Sequence, residues 1–342
     1  VNNLYDLPQV NLAAWLTAQG QKGFRATQVF GWLYKKRVPD YAGMKNLGAE
    51  LQGLLAANFR LDRGERVNLQ EAADGTLKFG LKLHDGLLVE TVVLRHEDHN
   101  TACLSSQVGC GMGCRFCRTA QMGLKRNLTP GEMIAQVLQA EALLGEQELR
   151  NLVFMGMGEP FHNYENLITA LQILTDDQGF AFSSRRITIS TSGLVPEIKK
   201  FGQDQRAKAN LAISLNGVTE EARTKIMPVT KRHSLDELIK VCQDFPIAQR
   251  ERITFEYVML AGVTDDLASA RALVKLLHGT RAKVNLIPYN ESPDLEFKAT
   301  GPEQLQEFQR LLLNAGLLAT IRKSRGQGIL AACGQLAAKE NP

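Results

Sequence analysis

The chain has no uninterrupted apolar run of the ~18 residues that a membrane-spanning helix needs. Its opening, VNNLYDLPQV, has neither the basic start nor the apolar stretch of a secretion signal. These absences argue against membrane insertion and export, so the cytoplasm is the expected compartment. A strong charge of either sign is also missing. Lys and Arg number 40 against 36 Asp and Glu, a net charge of +4, so bulk electrostatics does not mark a nucleic-acid binder and the distribution of charge has to carry any such argument. There is no low-complexity tract and no long linker. Cysteine is scarce, six in 342 residues, yet Cys103, Cys110, Cys114 and Cys117 fall within fifteen positions, while Cys242 and Cys333 stand apart. In a reducing compartment such crowding points to a metal or to catalysis, not to a disulfide framework.

What is present suffices for one large domain and a smaller one, at 44% hydrophobic content. Residues 1–60 read as short helices, with one apolar face from Leu12, Trp15 and Leu16 and another from Val29, Phe30, Trp32 and Leu33. Residues 61–100 contain the strand-like runs KFGLKL and LLVETVVL around a turn at His84-Asp85-Gly86, a hairpin connecting segment. From 101 to 300 six apolar runs (ACLSSQV, NLVFMGM, RITIST, NLAISL, ITFEYVML and KVNLIPY) alternate with amphipathic helical stretches, the pattern of a parallel β/α sheet or partial barrel. A C-terminal segment, 301–342, carries Cys333. One helix start is explicit: Thr129, Pro130 and Glu132 supply N-cap, first-turn proline and capping-box glutamate before the apolar Ile134, Val137 and Leu138.

Ligands of parallel β/α folds sit beyond the carboxyl ends of the strands. Here those positions read Cys110 to Cys117, Gly156-Met157-Gly158-Glu159-Pro160, Ser190-Thr191-Ser192-Gly193, Ser214-Leu215-Asn216-Gly217 and Pro288-Tyr289-Asn290. Cys110, Cys114 and Cys117 put three soft thiolate ligands on one glycine-rich loop, suited to an iron–sulfur cubane. Three ligands leave one iron open to a substrate's amino and carboxylate groups. A structural zinc wants four protein ligands, and no second Cys-x-x-Cys or His pair follows. Glu159 can accept hydrogen bonds from an ammonium group, against the plainer reading of a Gly-Pro turn with a solvated glutamate. Ser190, Ser214 and Asn290 offer neutral polar contacts, with turn capping as the alternative.

The pattern C-x-x-x-C-x-x-C, with an aromatic before the last cysteine, resembles the radical S-adenosylmethionine superfamily. That resemblance implies an α/β fold, a partial (β/α)6 TIM-like barrel with a helical accessory domain. It also implies a four-iron, four-sulfur (4Fe-4S) cluster on Cys110, Cys114 and Cys117 that cleaves S-adenosyl-L-methionine to a 5′-deoxyadenosyl radical. More narrowly, Cys103-Leu-Ser-Ser-Gln-Val-Gly-Cys110, MGMGEP, STSG and Ala-Ala-Cys333-Gly-Gln-Leu336 together are similar to the RlmN/Cfr family of RNA methyltransferases, and the similarity spans essentially the whole chain.

The family implies methylation of C2 of an adenosine in the peptidyl-transferase loop of 23S rRNA and of the adenosine 3′ of the tRNA anticodon. Two S-adenosylmethionine molecules are consumed per turnover. One methylates Cys333; the radical from the other abstracts hydrogen from that methyl group, and the resulting methylene radical adds to the base. Glu90 corresponds to the proton acceptor and Cys103 to the thiol that releases product through a transient disulfide with Cys333. Gly158, Glu159, Ser190, Ser214, Leu215, Asn216 and Asn290 correspond to cofactor contacts. Residues 1–60 correspond to a domain that helps hold RNA, and the expected remainder is an electron donor such as flavodoxin or ferredoxin, a monomer and no membrane.

Read locally, Glu90 is a solvent-facing strand residue, Cys103 a buried strand cysteine, Cys333 a core cysteine downstream of Arg322, Lys323 and Arg325, and Cys242 a core residue on a helical stripe. The chain departs from the family at Asn216, where histidine is usual, and at Gly328-Ile-Leu-Ala, where Asp-Ile-Asp-Ala is usual. Two rival readings stand. One is C8 methylation of the same rRNA adenosine, the resistance branch of the family, against which Pro160, Ser192 and Pro288 look more like the C2 branch. The other is a non-catalytic iron–sulfur nucleic-acid binder that uses Lys35, Lys36, Arg37, Arg185 and Arg186 on phosphates.

Overall fold

The computed structural model describes residues 2–206, 208–292 and 294–337; the end of the C-terminal segment, 338–342, lies outside the described residues. Ten strands make one sheet: β1 (Glu65–Glu71), β2 (Leu77–Lys82), β3 (Leu88–Arg95), β4 (Asn100–Cys103), β5 (Leu149–Phe154), β6 (Ile187–Thr191), β7 (Asn210–Ser214), β8 (Ile253–Met259), β9 (Ala282–Pro288) and β10 (Ala319–Ile321). Their order in space is their order in sequence. From β4 to β10 every neighbouring pair is parallel, and from β1 to β4 every pair is antiparallel. β1 and β10 are the two edges, so the sheet is open.

All six expected runs become strands, because each is apolar enough to be covered on both faces. β8, for example, is buried at all seven positions. Two features enlarge the six-stranded expectation. A seventh parallel strand, β10, comes from the C-terminal segment, and the hairpin β2–β3 joins the barrel sheet through β3–β4 pairing instead of standing apart from it. The turn holds at the expected place, with Gly86 at φ +83°.

Helices α1 (Gln9–Ala18), α2 (Arg25–Phe30) and α3 (Ala49–Asn58) form the first sixty residues, closed by a short parallel pairing of Asn2–Asn3 with Phe59–Arg60. Leu12, Leu16, Val29, Phe30 and Leu33 are fully buried, and Trp15 meets the Phe59 ring edge-on at 4.7 Å. This unit is tied to the start of α4 (Pro130–Leu144), where Asp6 accepts from Gly131 N–H at 2.8 Å. The capping box forms as expected, Thr129 Oγ1 accepting from Glu132 N–H and Glu132 from Thr129 N–H.

Below the site the sheet is held by a residue that its segment, Glu220–Ile226, does not advertise. Arg223 is completely buried, and its guanidinium donates to the carbonyls of Leu215 (2.9 Å), Ser192 (2.5 Å) and Ser214 (3.2 Å) and to Thr230 Oγ1 (2.7 Å). It thus pins the ends of β6 and β7 together. Arg223→Met leaves these acceptors without a donor in a dry site, and the expected loss is about 3 kcal/mol or more, read as a lower urea midpoint at unchanged slope. A midpoint equal to that of the parent would show that the guanidinium is not what fixes these strand ends.

Candidate active site

A short ladder, Gln107–Gly109 against Leu124–Asn127, lifts the cysteine loop over the carboxyl ends of the strands. Gly109 makes this possible: its φ is +76°, and a β-carbon there would lie 1.9 Å from the Gly123 carbonyl oxygen. Cys110, Cys114 and Cys117 then line one cleft that encloses about 960 Å³ of space open to solvent. Burial pushes the Cys110 thiol up to about 12, Cys114 well above its ordinary value and Cys117 upward. Opposing this, the backbone N–H of Met112 points at Cys110, and those of Ala120 and Thr119 point at Cys117.

Thiols that are neutral when buried, but already faced by N–H donors, are ready to ionise on meeting a cation that takes the proton's place. Among the described residues no group of three His, Cys, Asp or Glu is gathered for a single metal ion. The three thiols share this one cleft. Beside them the hydroxyl of Tyr289 is buried on the cleft wall without a hydrogen-bond partner. The cleft fits a thiolate-held iron–sulfur cluster with a polar ligand next to it.

Of the other expected contacts, Gly158, Glu159, Ser190, Ser214, Asn216 and Asn290 line this cleft and Leu215 does not. Gly158 has φ +101°, and a β-carbon would come within 2.7 Å of Gln107 N. Gln107 Oε1 accepts from Glu159 N–H, fixing the turn that aims Glu159 inward. The Glu159 carboxylate is buried and accepts from Phe161 N–H (3.1 Å) and Ser192 N–H (2.7 Å). Burial raises its pKa and these donors oppose the rise. Glu159 is therefore not the solvated turn residue of the plainer reading. Ser190 and Ser214 face each other, Oγ to Oγ 3.4 Å.

Asn216 sits at φ +54°, where asparagine is tolerated. Its Oδ1 accepts from Val258 N–H at 2.9 Å and its Nδ2 donates to Met227 Sδ. The amide that replaces the usual imidazole is thus committed to protein partners. Leu215 is core, its N–H and carbonyl taken by Glu256 O and Arg223.

A second cavity, about 1440 Å³ of space open to solvent, holds both Cys103 and Cys333, and Arg322 lines it and the cleft alike. Burial, then the neighbouring Cys333, pushes the Cys103 thiol up to about 12. Arg322 is raised by Cys333, then by Glu256 and Cys103. All six cysteines are free, so no disulfide joins Cys103 to Cys333 in this structure. Asn290 Nδ2 donates to the Cys333 carbonyl (3.4 Å), and Arg118 N–H, just after the cluster loop, donates to Gly334 O (2.8 Å).

Glu90 corrects its local reading. Far from facing solvent, its side chain is 13% exposed, paired with Lys78 at 2.9 Å and accepting from Ala337 N–H at 2.6 Å. It faces a hollow shared with Arg118 and Gly328 to Leu330, not the cavity of Cys103 and Cys333. Cys242 is core, as expected.

Of the residues named for the binding-only reading, Arg37 is paired with Glu141 through two 2.7 Å bonds, and Arg185 and Arg186 precede β6, at the end of the strands away from the cleft. The sequence reading missed Glu256, a buried carboxylate on the cleft wall whose pKa burial raises. A lone acid inside the apolar run ITFEYVML was the available signal.

A cluster cleft of this kind, at the carboxyl ends of parallel strands, belongs to a radical S-adenosylmethionine enzyme, and residues 104–273 match the radical SAM superfamily. Residues 2–61 match the N-terminal domain of ribosomal RNA large subunit methyltransferases. The dual-specificity RNA methyltransferase RlmN of Anaeromyxobacter dehalogenans is 47% identical, covering 99% of this chain and 93% of its own. That of Desulfotalea psychrophila is 44% identical, covering 99% and 95%. The crystal structure of a radical SAM methyltransferase from Sphaerobacter thermophilus matches with a TM-score of 0.94 at 41% identity, covering 99% of this chain and all of that one. The chain belongs to the RlmN family of radical SAM RNA methyltransferases. Among the described residues, no helix is long and apolar enough to cross a membrane.

Proposed function

We propose that this RNA methyltransferase adds a methyl group to C2 of an adenosine in 23S rRNA and in tRNA, and that the carbon travels on Cys333. The observation that carries the reading is the shared wall. Cys103 and Cys333 occupy one cavity that adjoins the cleft of Cys110, Cys114 and Cys117, with Arg322 lining both. Residues 1–60 help hold RNA, 61–100 connect, 101–300 form the radical barrel and 301–342 carry the methyl-accepting cysteine.

C2 of adenine is an electron-poor aromatic carbon without a usable lone pair, so direct displacement on a sulfonium methyl is closed to it. The 4Fe-4S cluster and two S-adenosyl-L-methionine molecules, when bound, supply a transferable methyl and a hydrogen-abstracting 5′-deoxyadenosyl radical. Cys110, Cys114 and Cys117 hold the cluster. Gly158, Glu159, Ser190, Ser214 and Asn290 contact the methionyl and ribosyl groups, while Leu215 and Asn216 shape the turn that presents Ser214.

Cys333 Sγ takes the first methyl as a thioether and remains bonded to the carbon as it joins the base. Glu90 accepts the C2 proton, for which its contacts to Lys78 and Ala337 N–H have to open and its carboxylate has to turn from its own hollow toward the cavity of Cys333. The Cys103 thiolate then attacks Cys333 sulfur, and a disulfide forms as the bond from that sulfur to the transferred carbon breaks. The bonding pair stays on the carbon, which takes a proton to become the methyl group, and a thiol reductant restores the two free cysteines. Reduction by flavodoxin or ferredoxin, a monomeric state and a cytoplasmic location complete the reading.

Peptide mass spectrometry after anaerobic incubation with reductant and S-adenosylmethionine tests the route. The account expects methylated Cys333 before RNA is added and loss of that methyl group to RNA afterwards; active enzyme with Cys333 never methylated overturns it. Glu90→Gln is expected to slow single-turnover product formation by roughly 10²- to 10⁴-fold with Cys333 still methylated. An unchanged rate would take Glu90 out of the mechanism.

A further inference from the structure

The cavity of Cys103 and Cys333 has a lining that its thiols do not explain. Arg322, Lys323, Arg325 and His96 line it, and no Asp or Glu is among its described lining residues. The histidine is held in a defined attitude. His96 N–H donates to the His99 carbonyl at 2.9 Å, folding 96–99 into the tight turn between β3 and β4. The two imidazoles stack with centroids 4.4 Å apart and planes 16° from parallel, and His99 is fixed in turn by Asp98 at 2.6 Å. Arg325 Nη1 reaches from the C-terminal segment to the Arg95 carbonyl, beside this turn.

We propose that this cavity seats the target nucleotide, with the His96 ring, backed by His99, stacked on a nucleobase and Lys323 and Arg325 holding adjacent phosphates. The inference rests on the RNA methylation proposed above and adds the residues that recognise the nucleotide. Burial, then His99, Arg325 and Arg322, lowers the His96 pKa. An uncharged ring favours a base face over a phosphate. Since the ring is already stacked on one side, little orientational freedom is lost when a base covers the other. The absence of carboxylates among its described lining residues suits a polyanion.

The test uses the reconstituted full chain with a tRNA transcript and a 23S rRNA fragment as probes, comparing His96→Ala, His96→Phe and His96→Gln, with thermal unfolding as the check on folding. His96→Ala is expected to raise KM for RNA by about 10- to 100-fold, with kcat at saturating RNA changed much less. His96→Phe restores KM and His96→Gln does not. In parallel, Lys323→Met lowers the slope of log affinity against log salt by about one.

The proposal is overturned if His96→Ala keeps the parent KM, or if glutamine restores it and phenylalanine does not, since a polar contact would then be at work. Methylated Cys333 with no RNA product in the parent enzyme is a different failure, that of the function reading itself.

Discussion

Cys333→Ala abolishes RNA methylation and leaves the iron–sulfur cluster in place. Two hydrogen bonds hold the backbone at residue 333: Asn290 donates to its carbonyl, and Arg118 N–H to the next carbonyl, Gly334 O. Alanine keeps both, and the cluster thiols sit on a separate loop anchored by Cys110 N–H to Gly123 O at 2.9 Å. The substitution therefore removes one sulfur atom and little else. Because the target carbon cannot take a methyl group by displacement, no slower route remains, and turnover should fall below detection. Iron content and cluster absorbance equal to the parent, with no methylated nucleoside, are the expected pair of results. Residual methylation would mean that the carbon does not travel on Cys333.

Cys103→Ala has the opposite signature: chemistry proceeds and product stays attached. The expected result is a protein–RNA species that survives denaturation and is cut down by ribonuclease. The physical basis is the cavity that Cys103 shares with Cys333. In the resting state burial, then Cys333, pushes the Cys103 thiol up to about 12, so little thiolate exists near neutral pH. Burial is the main cause of that rise, and Arg322 opposes it. The attacking form is the thiolate, so with a pKa above the working pH the release rate should rise as pH goes from about 7 to about 9. Normal turnover by Cys103→Ala, with no adduct, would contradict its role.

How much of this was legible depends on how local the signal was. Six strands, the α4 cap and the cysteine loop are written in short stretches whose periodicity or ligand chemistry speaks for itself, and the carboxyl-end rule then gathers Glu159, Ser190, Ser214 and Asn290 into one cleft. β1 was invisible because ERVNLQE is exposed on both faces and shows no apolar alternation. β10 has only three residues. Arg223 lies in EEARTKI, which reads as a surface helix, and three of its four acceptors are backbone carbonyls contributed by other segments, which leave no trace in residue type.

The environment of Glu90 was half readable. Gly80 pairs with Glu90 across the hairpin, which puts Lys78 on the diagonal, whereas the contact with Ala337 joins residues 247 positions apart. Asn216 in place of histidine becomes intelligible only with its left-handed backbone and its bond to Val258 N–H in view.

The most direct test is the identity of the methylated nucleoside. RNA treated anaerobically with the reconstituted enzyme, reductant and S-adenosylmethionine is digested to nucleosides and compared by mass spectrometry with 2-methyladenosine and 8-methyladenosine standards. The account predicts 2-methyladenosine from both rRNA and tRNA. 8-Methyladenosine, or no methylated adenosine from enzyme with an intact cluster, would contradict it.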